Sequence, residues 1–423
     1  MGMTITEKIL SRIMDKPVKA GETIYPEPDM TIVHDGYVVP LYNDLQNLGV
    51  KEIINPEKMM FVTDHEVFPV SQKAADKSKK IKEIAKELKI GKHYDSGRGG
   101  IGHVAPVEDG YIKPGMFIKA YDTHCPNFGA VGALAFPIFG DVLSVAVKGS
   151  TWITVPETIK IVLAGKLKEG VTIRDLSQYI ISKIDPEIAN YSVIEFAGPA
   201  LNEISIDGRM TLCNVPLEIG PKSIIFPSDD ITKNYYKGEI EEVYSDEDAN
   251  YKETFQFDLS LIKPQVSLPS APENVVDVDQ VIGKNITHAF IGSCASGMID
   301  DMRMAASILK NNKIHSDVNL YIVPASQEVY SKMAQEGLVD IFIKADSIIL
   351  PPGCGPCAGG KIGTLAKNEV SISTATRNDP GRMGGGNSSE LYLASPLTVA
   401  ASAVNGKITN PSNYSSRRDV YDL

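Results

Sequence analysis

The stretch HAFIGSCASGMIDDMRMAASILKN, residues 288–311, carries the clearest structural signal in the chain. A short apolar run (HAFIG, 288–292) is followed by a turn that contains Cys294, and a helical pattern begins at about Met298. We therefore predict a strand that ends at a cysteine and a helix that packs back against the sheet. Open α/β sheets bind ligands at the carboxyl ends of their strands, so we expect Cys294 to face a ligand.

Short apolar runs and helical patterns alternate on both sides of this unit. Helical patterns occur in KKIKEIAKELK (79–89) and DDMRMAASILKN (300–311). Apolar runs typical of strands are MFIKAYD (116–122), LYIVP (320–324) and IFIKA (341–345). The alternation predicts an α/β protein with largely parallel sheets.

The length of the chain predicts more than one domain. At 423 residues it exceeds the size at which a single core stops growing, so two or three domains are expected. A boundary is predicted near Pro156, where a new helical pattern is expected to start. The proline-containing stretch 261–277 lacks periodicity and is predicted to be an interdomain linker. The predicted domains are then 1–156, 157–260 and 278–423.

The charge and hydropathy of the chain limit its partners. A net charge of −11, from 42 basic and 53 acidic residues, argues against nucleic-acid binding through a broad basic face. The lysine-rich run from Lys77 to Lys89 is explained by a solvated helix face. No segment reaches the roughly 20 apolar residues that cross a bilayer. The opening residues 1–14 predict an amphipathic helix capped at Thr4 rather than a signal peptide, and the polar tail 410–423 is expected to dock on a neighbour or stay mobile.

The five cysteines indicate a metal centre rather than a disulfide scaffold. Their number is odd and the chain is large, so thiols in a reducing cytoplasm are expected. Cys354 and Cys357 lie in the glycine- and proline-rich turn PPGCGPC (351–357), which can direct both sulfurs at one centre. With Cys294 they provide three sulfurs, one fewer than a structural zinc or ferredoxin site. A redox pair and ordinary buried thiols are the alternatives.

Three polar motifs interrupt apolar runs and are candidates for proton transfer. Their carboxylates and imidazoles are Asp64, His65, His103, Asp122 and His124. An imidazole held by a carboxylate is a common proton donor, although a single histidine is more often structural. Glu195, in SVIEFAGPA, is predicted to join them. Cys213 is expected in the core, and the role of Cys125, next to His124, is left open.

A glycine-rich segment near the C-terminus contains two candidate anion-binding arginines. Arg377 and Arg382 lie in STATRNDPGRMGGGNSS (373–389), where paired guanidinium groups suit bidentate binding of carboxylates. A charged surface loop is the alternative. The segment GRGGIG (97–102) has the spacing of a dinucleotide-binding loop, but a helical pattern precedes it and no helical pattern follows, so nicotinamide binding is rejected.

Taken in order, nine short motifs resemble the aconitase superfamily over nearly the whole chain. They are DH (64–65), GIGH (100–103), DTHCPNFGAVGA (122–133), IEFAGP (194–199), RMTLCNVPLEIG (209–220), GSC (292–294), PGCGPCAGG (352–360), TRNDPGR (376–382) and SPLTVAASAVNG (395–406). The length and opening residues are most similar to the large subunits of 3-isopropylmalate dehydratase and homoaconitase. The resemblance implies three α/β/α domains around a central [4Fe–4S] cluster, one iron of which has no protein ligand.

The resemblance also implies roles for the candidate residues. The cluster ligands would be Cys294, Cys354 and Cys357. The network that handles protons and iron-bound water would be Asp64, His65, His103, Asp122, His124 and Glu195. Arg377 and Arg382 would bind substrate carboxylate. A separate small subunit with a swivelling domain would supply a serine base, because too few residues follow Gly406 to form that domain.

The implied activity is the reversible dehydration of a substituted malate such as 3-isopropylmalate. Dimethylmalate, methylmalate and homoaconitate are alternative substrates, and a non-catalytic iron or oxygen sensor and a zinc hydrolase are alternative functions. Ser296 and Thr376 stand where the family usually has amides, and Met298 stands where it usually has an arginine. These departures leave the substrate open, and Cys125 could act as an extra thiol ligand.

Overall fold

The computed structural model of the protein describes residues 2–359 and 361–414. Of the polar tail 410–423, residues 415–423 lie outside the described residues, so its docking or mobility stays a prediction. The N-terminal helix begins as predicted, because the Thr4 hydroxyl accepts a hydrogen bond from the backbone N–H of Glu7 and the Glu7 carboxylate accepts one from Thr4. No helix within the described ranges is long and apolar enough to cross a membrane.

Strands and helices alternate along the described residues. The strands are β1 Thr23–Ile24, β2 Met30–His34, β3 Met59–Val62, β4 Lys92–Tyr94, β5 Phe117–Tyr121, β6 Leu134–Pro137, β7 Ile153–Thr154, β8 Thr158–Ala164, β9 Val193–Ala197, β10 Ser223–Ile225, β11 Glu253–Asp258, β12 Gln265–Ser267, β13 Val275–Asp277, β14 His288–Ile291, β15 Asn319–Ile322, β16 Ile348–Ile349, β17 Val370–Ser373 and β18 Glu390–Ala394. The α-helices are α1 Ile5–Met14, α2 Val38–Asn47, α3 Gln72–Glu87, α4 Ala105–Glu108, α5 Val142–Lys148, α6 Ile173–Ile181, α7 Pro186–Ala189, α8 Ile206–Asn214, α9 Asp230–Tyr236, α10 Ser293–Ser296, α11 Ile299–Leu309, α12 Gln327–Gln335, α13 Leu338–Lys344 and α14 Pro396–Asn405. Short 3₁₀ helices are Pro56–Lys58, Cys125–Val131, Pro199–Glu203, Val215–Ile219, Leu259–Leu261, Val278–Gln280, Gly355–Cys357, Gly386–Ser388 and Pro411–Asn413.

The chain forms two compact units, neither of which is continuous in sequence. Unit 1 consists of the chain up to Leu163, Pro186–Cys213 and Gly220–Gln256. Unit 2 consists of Ala164–Asp185, Asn214–Ile219 and the described chain from Phe257. The predicted domains 1–156, 157–260 and 278–423 stay a prediction.

Unit 1 contains a five-stranded parallel sheet in the order β4-β3-β2-β5-β6. The chain runs from β2 outward to β4 and then returns to the other side of β2 with β5, so the strand order reverses between β2 and β5. In doubly wound sheets such a reversal opens a crevice at the carboxyl ends of the strands. Apolar side chains of α2, α3 and α5 cover this sheet, among them Leu41, Ile84 and Val142.

A second sheet, β10-β9-β8-β11, is also assigned to unit 1. Strands β8, β9 and β10 are parallel. Helix α1 packs with this part of the unit, and Ile5, Leu10, Val193 and Ile225 share one apolar cluster.

Unit 2 contains a seven-stranded sheet in the order β13-β12-β18-β17-β14-β15-β16. The five strands from β18 to β16 are parallel, and β12 is antiparallel to both of its neighbours. The strand order reverses between β14 and β17. The strands β12 and β13 lie within 261–277, the predicted linker, and its prolines Pro264, Pro269 and Pro272 lie outside these strands, as strand geometry requires.

Most predicted elements are confirmed, and two are wrong. The run IFIKA (341–345) lies mainly in helix α13, where Leu338 and Phe342, one turn apart, are both buried. Apolar runs this short do not distinguish a strand from a buried helix. After Pro156 the chain enters strand β8, whose side chains alternate between buried and half-buried, whereas helix α6 begins only at Ile173.

Candidate active site

Ionisable side chains of unit 1 gather at the carboxyl ends of β2, β3 and β5. Asp64 and His65 follow β3, Asp122 and His124 follow β5, and His103 lies in the turn before α4. A crevice at this edge is lined by Ile32, His34, Asp64, Gly102, His103, Ala120, Tyr121 and Asp122. The structure therefore brings five of the six predicted proton-handling residues to the point where the strand order reverses.

Asp64 holds the imidazole of His65 in one orientation. One carboxylate oxygen of Asp64 lies 2.6 Å from Nδ1 of His65, and the other accepts the backbone N–H of Gly102 at 2.8 Å. Burial raises the pKa of Asp64, but the charge of His65 and its hydrogen bond outweigh burial and hold that pKa below its usual value. An ionised Asp64 can only accept, so Nδ1 of His65 carries the proton of this bond and Nε2 faces other partners.

Asp122 lies between two imidazoles. Its Oδ1 atom is 3.9 Å from Nδ1 of His103 and 3.9 Å from Nδ1 of His124, and accepts the backbone N–H of His124 at 2.7 Å. Burial raises the pKa of Asp122, but the two imidazoles outweigh burial and hold that pKa below its usual value. The carboxyl group is therefore ionised. His103 is 2% exposed, burial lowers its pKa, and its buried Nε2 has no hydrogen-bond partner among the described residues. A ligand in the crevice would satisfy this nitrogen.

Two further residues, His34 and Asp35, complete the edge of this network. The ring of His34 stacks on that of His65, with centroids 4.2 Å apart. Asp35 is buried and accepts the backbone N–H of His65 at 3.3 Å. Ligand atoms of His34, Asp35, Asp64 and His65 all lie within 4.8 Å of one another, which is close enough for a metal ion. Their sequence signal is the pair His34-Asp35, in which His34 ends the apolar strand β2 and Asp35 follows it.

Glu195 is not among the residues that line the crevice. It lies in β9, and its carboxylate accepts hydrogen bonds from the hydroxyls of Ser245 and Tyr251, both at 2.7 Å, and from the backbone N–H of Ile5 at 3.3 Å. Burial raises its pKa. These contacts tie the start of α1 to the second sheet, and a catalytic role for Glu195 stays a prediction.

The three predicted ligand cysteines all belong to unit 2 and follow parallel strands at their carboxyl ends. Cys294 follows β14, Cys354 and Cys357 follow β16, and none of them forms a disulfide. The turn between the last two needs glycine, because Gly355 has a φ of 55° and a Cβ atom there would lie 2.8 Å from Val323. The backbone of this turn therefore permits both sulfurs to face one metal centre, as predicted.

The surroundings of the sulfurs suit thiolate ligands. The side-chain nitrogen of Asn214 donates to Sγ of Cys294 at 3.1 Å, and the Thr376 hydroxyl lies 3.9 Å from Sγ of Cys357. Burial lowers the pKa of Arg382, but the neighbouring sulfur of Cys357 raises it above its usual value. Hydrogen bonds and positive charge near sulfur favour thiolates that hold a cluster, so these residues fit an iron–sulfur centre.

The other two cysteines are fully buried in unit 1. Cys213 lies in helix α8, as core packing predicts, and Cys125 begins a 3₁₀ helix after β5. Burial raises the pKa of both thiols well above the usual value. Both therefore stay protonated at neutral pH, and Cys125 as an extra ligand stays a prediction.

The substrate-binding candidates Arg377 and Arg382 also belong to unit 2. Nε of Arg377 donates to the carboxylate of Glu218 at 2.8 Å, and the Glu218 side chain is 8% exposed. Buried Nε of Arg382 has no hydrogen-bond partner within the described part of the chain. Asn214 and Glu218 were not predicted as site residues, although both lie in the motif RMTLCNVPLEIG (209–220).

The residues that depart from the family pattern have local contacts in unit 2. The Ser296 hydroxyl donates to the carbonyl of Ala295 at 2.7 Å, and Met298 is buried at the start of α11, where its N–H donates to Asp301 at 3.0 Å. Thr376 faces Cys357, as described above. The Met298 side chain brings no charge to this centre.

Sequence comparisons show that the chain belongs to the aconitase family. The model of the aconitase family (aconitate hydratase) matches residues 7–406. The 3-isopropylmalate dehydratase large subunit 1 of Methanopyrus kandleri is 39% identical over 98% of this chain and 100% of its own length. The methanogen homoaconitase large subunit of Methanocaldococcus jannaschii is 39% identical over 96% and 99% of the two chains. A crystal structure of Thermococcus kodakaraensis aconitase X in its holo form aligns over 90% of this chain and 94% of its own, with a TM-score of 0.48 and 12% identity.

Proposed function

The chain belongs to the aconitase family as a hydro-lyase of the large-subunit type, and we propose that it catalyses the reversible dehydration of a substituted malate such as 3-isopropylmalate. The reaction removes a hydroxyl group and a hydrogen from neighbouring carbons as water. The substrate class is suggested by the relatives, which are named for 3-isopropylmalate dehydratase and homoaconitase.

The observation that carries the proposal is the hydrogen bond from Asn214 to the sulfur of Cys294. An N–H directed at sulfur stabilises the thiolate form, which is the form that binds iron. We propose that Cys294, Cys354 and Cys357 hold a [4Fe–4S] cluster, one iron of which has no protein ligand. When bound, the cluster would supply a Lewis acid for the substrate hydroxyl and carboxylate.

Proton transfer is assigned to the residues of unit 1. Because Nδ1 of His65 donates to Asp64, Nε2 is the atom of that ring that exchanges a proton with a ligand. The ionised Asp122 lies 3.9 Å from Nδ1 of both His103 and His124, where its carboxylate can orient either ring. We assign delivery of the proton to the departing hydroxyl to His124 with Asp122, which is general acid catalysis.

Arg377 and Arg382 are assigned to the substrate carboxylates. The ion pair with Glu218 orients the guanidinium plane of Arg377. A guanidinium fixed in this way suits bidentate pairing with a carboxylate, which would hold the carbon skeleton while the hydroxyl leaves.

A separate small subunit is proposed as the partner, because the relatives are named large subunits. It would carry the swivelling domain and the serine that removes the carbon-bound proton. We also propose a cytoplasmic location, because a centre held by thiolates needs a reducing compartment.

The proposal is tested by anaerobic cluster reconstitution of the full chain, with iron and sulfide counted and the visible spectrum recorded. Cys354→Ser should abolish the cluster, whereas Cys213→Ala, which changes a buried thiol of unit 1, should leave it intact. Zinc in place of iron would indicate the hydrolase alternative. A wild-type chain that takes up no iron under these conditions would contradict the proposed function.

The substrate is then identified with the cognate small subunit present. The acids to compare are 3-isopropylmalate, dimethylmalate, methylmalate and homoaconitate. The highest kcat/KM is expected for 3-isopropylmalate. A cluster-loaded complex that turns over none of these acids would favour the sensor alternative.

A further inference from the structure

Arg174 is a fully buried arginine in unit 2 that has no role in the chemistry described so far. It is 2% exposed, and its Nη1 and Nη2 atoms donate to the carbonyls of Thr374 at 3.0 Å and Ala375 at 2.6 Å. A buried guanidinium is costly unless hydrogen bonds and opposite charge compensate it. Both carbonyls directly follow strand β17, on the segment that leads to Arg377.

Thr374 connects this arginine to the backbone that carries Cys294. The Thr374 hydroxyl accepts the N–H of Gly292 and donates to its carbonyl, both at 2.9 Å, and the Ser293 hydroxyl donates to the carbonyl of Thr374 at 3.2 Å. Ser293 has a φ of 71°, a left-handed conformation that non-glycine residues rarely adopt. The contacts with Thr374 hold this strained residue directly before Cys294.

The same segment also reaches the second part of the cysteine centre. Thr376, two residues after Thr374, has its hydroxyl 3.9 Å from Sγ of Cys357. Burial lowers the pKa of Arg174 to about 10, and the nearby carboxylates and the sulfurs of Cys294 and Cys357 oppose that shift. Arg174 is therefore charged at neutral pH, close to two of the three sulfurs.

We propose that Arg174 is a positioning residue of the cysteine centre. Its two hydrogen bonds hold segment 374–376, and this segment holds the backbone before Cys294 and the hydroxyl next to Cys357. Its positive charge balances part of the negative charge of a bound cluster. The positioning role concerns the chain itself, whereas the charge role rests on the proposed function.

The positioning role is tested in the apo chain by alkylation of Cys294 with iodoacetamide under anaerobic conditions, followed by mass spectrometry. Arg174→Met and Thr374→Val each remove buried hydrogen bonds of the segment, so alkylation should be faster by about tenfold in both. Tyr94→Phe is the matched control, because Tyr94 is equally buried and its hydroxyl donates to Asp109 at 2.6 Å within unit 1. This control should lower stability and leave the Cys294 rate near that of wild type.

Two results of this experiment would overturn the positioning role. One is a wild-type alkylation rate in Arg174→Met. The other is an equal acceleration in Tyr94→Phe, because Cys294 would then react through general unfolding rather than through movement of its own loop.

The charge role is tested by the reduction potential of the reconstituted cluster, measured by a redox titration monitored by electron paramagnetic resonance. Arg174→Met should have a more negative potential than wild type, because loss of a nearby positive charge disfavours an added electron. Arg174→Lys keeps the charge and should stay close to wild type. Equal potentials in all three proteins would overturn the charge role. If the wild-type chain takes up no cluster, the proposed function and the charge role fail, and alkylation alone decides the positioning role.

Discussion

The carboxylate of Asp64 lies 2.6 Å from Nδ1 of His65 and accepts the N–H of Gly102 with its other oxygen. Both oxygens of Asp64 therefore act as acceptors, which an amide cannot reproduce. The first prediction follows from this bond. In Asp64→Asn the amide nitrogen must face one of the two donors, so the orientation and tautomer of His65 are no longer fixed.

The kcat of Asp64→Asn is expected to fall by about 10²- to 10⁴-fold, the usual size of general acid–base catalysis. It is measured in the reconstituted complex with the small subunit. The control is Asp340→Asn, which changes a carboxylate that pairs with Lys344 on an exposed helix face. Activity of Asp64→Asn within about threefold of wild type would contradict a role in proton transfer.

Local sequence patterns predicted the residues whose position depends on their own strand and turn. Cys294 is an example, because the apolar strand before it and the helix after it are adjacent in sequence. Asp64 and Asp122 lie in polar motifs that interrupt apolar runs, and the parallel strands β3 and β5 bring their carboxyl ends to one edge.

Residues that act through distant partners could not be predicted from local patterns. Asn214 meets Cys294 across 80 positions, and Arg174 meets Thr374 across 200 positions. Only the order of strands in the folded sheet brings such pairs together. From the sequence alone, Arg174 would be taken for an exposed charged residue of an amphipathic helix. Its burial depends on tertiary packing, which local patterns do not show.

The second prediction concerns the buried nitrogen of His103, which has no hydrogen-bond partner among the described residues. An unsatisfied buried polar atom destabilises the fold, so its removal should not lower the stability of the apo chain. His103→Leu is expected to unfold in urea within about 1 kcal/mol of wild type, and its kcat should fall by at least about 10²-fold.

The control for this prediction is His288→Leu. His288 is also buried, but Nδ1 bonds to the Ser371 hydroxyl at 2.8 Å and Nε2 to the carbonyl of Gly363 at 3.0 Å. Its replacement removes two satisfied hydrogen bonds and should destabilise the chain by about 2 kcal/mol. Equal destabilisation by both substitutions would mean that Nε2 of His103 has a hydrogen-bond partner in the folded protein.

The third prediction separates a structural from a catalytic role for Glu195. Its carboxylate accepts hydrogen bonds from Ser245, Tyr251 and Ile5, and an amide cannot accept all of them. Glu195→Gln is expected to lower the free energy of unfolding by about 2–3 kcal/mol, because bonds to a charged acceptor are strong. The kcat per folded molecule should stay within about threefold of wild type.

Tyr251→Phe is the matched variant, because it removes one of these donors and leaves the carboxylate in place. It should cause about half of the stability loss. A loss of kcat by about 10²-fold in folded Glu195→Gln, with Tyr251→Phe fully active, would instead support the catalytic role predicted from the sequence.

The fourth prediction is a pH dependence of stability that arises from His288. Burial lowers the pKa of His288 below its ordinary value of 6.5. The unfolded chain therefore binds a proton at His288 more readily than the folded chain does. As a result, the stability that His288 contributes is fully present above pH 6.5 and is lost as the pH falls below that value, by at most about 1.4 kcal/mol per pH unit.

This dependence is measured from urea unfolding of the wild-type apo chain and His288→Leu between about pH 8 and pH 5. The two proteins share every other titrating group, so the difference in their unfolding free energies reports His288 alone. The difference should be largest at the alkaline end and should shrink as the pH falls. A constant difference across this range would mean that His288 does not change its protonation on unfolding, and that its hydrogen bonds to Ser371 and Gly363 do not depend on a neutral ring.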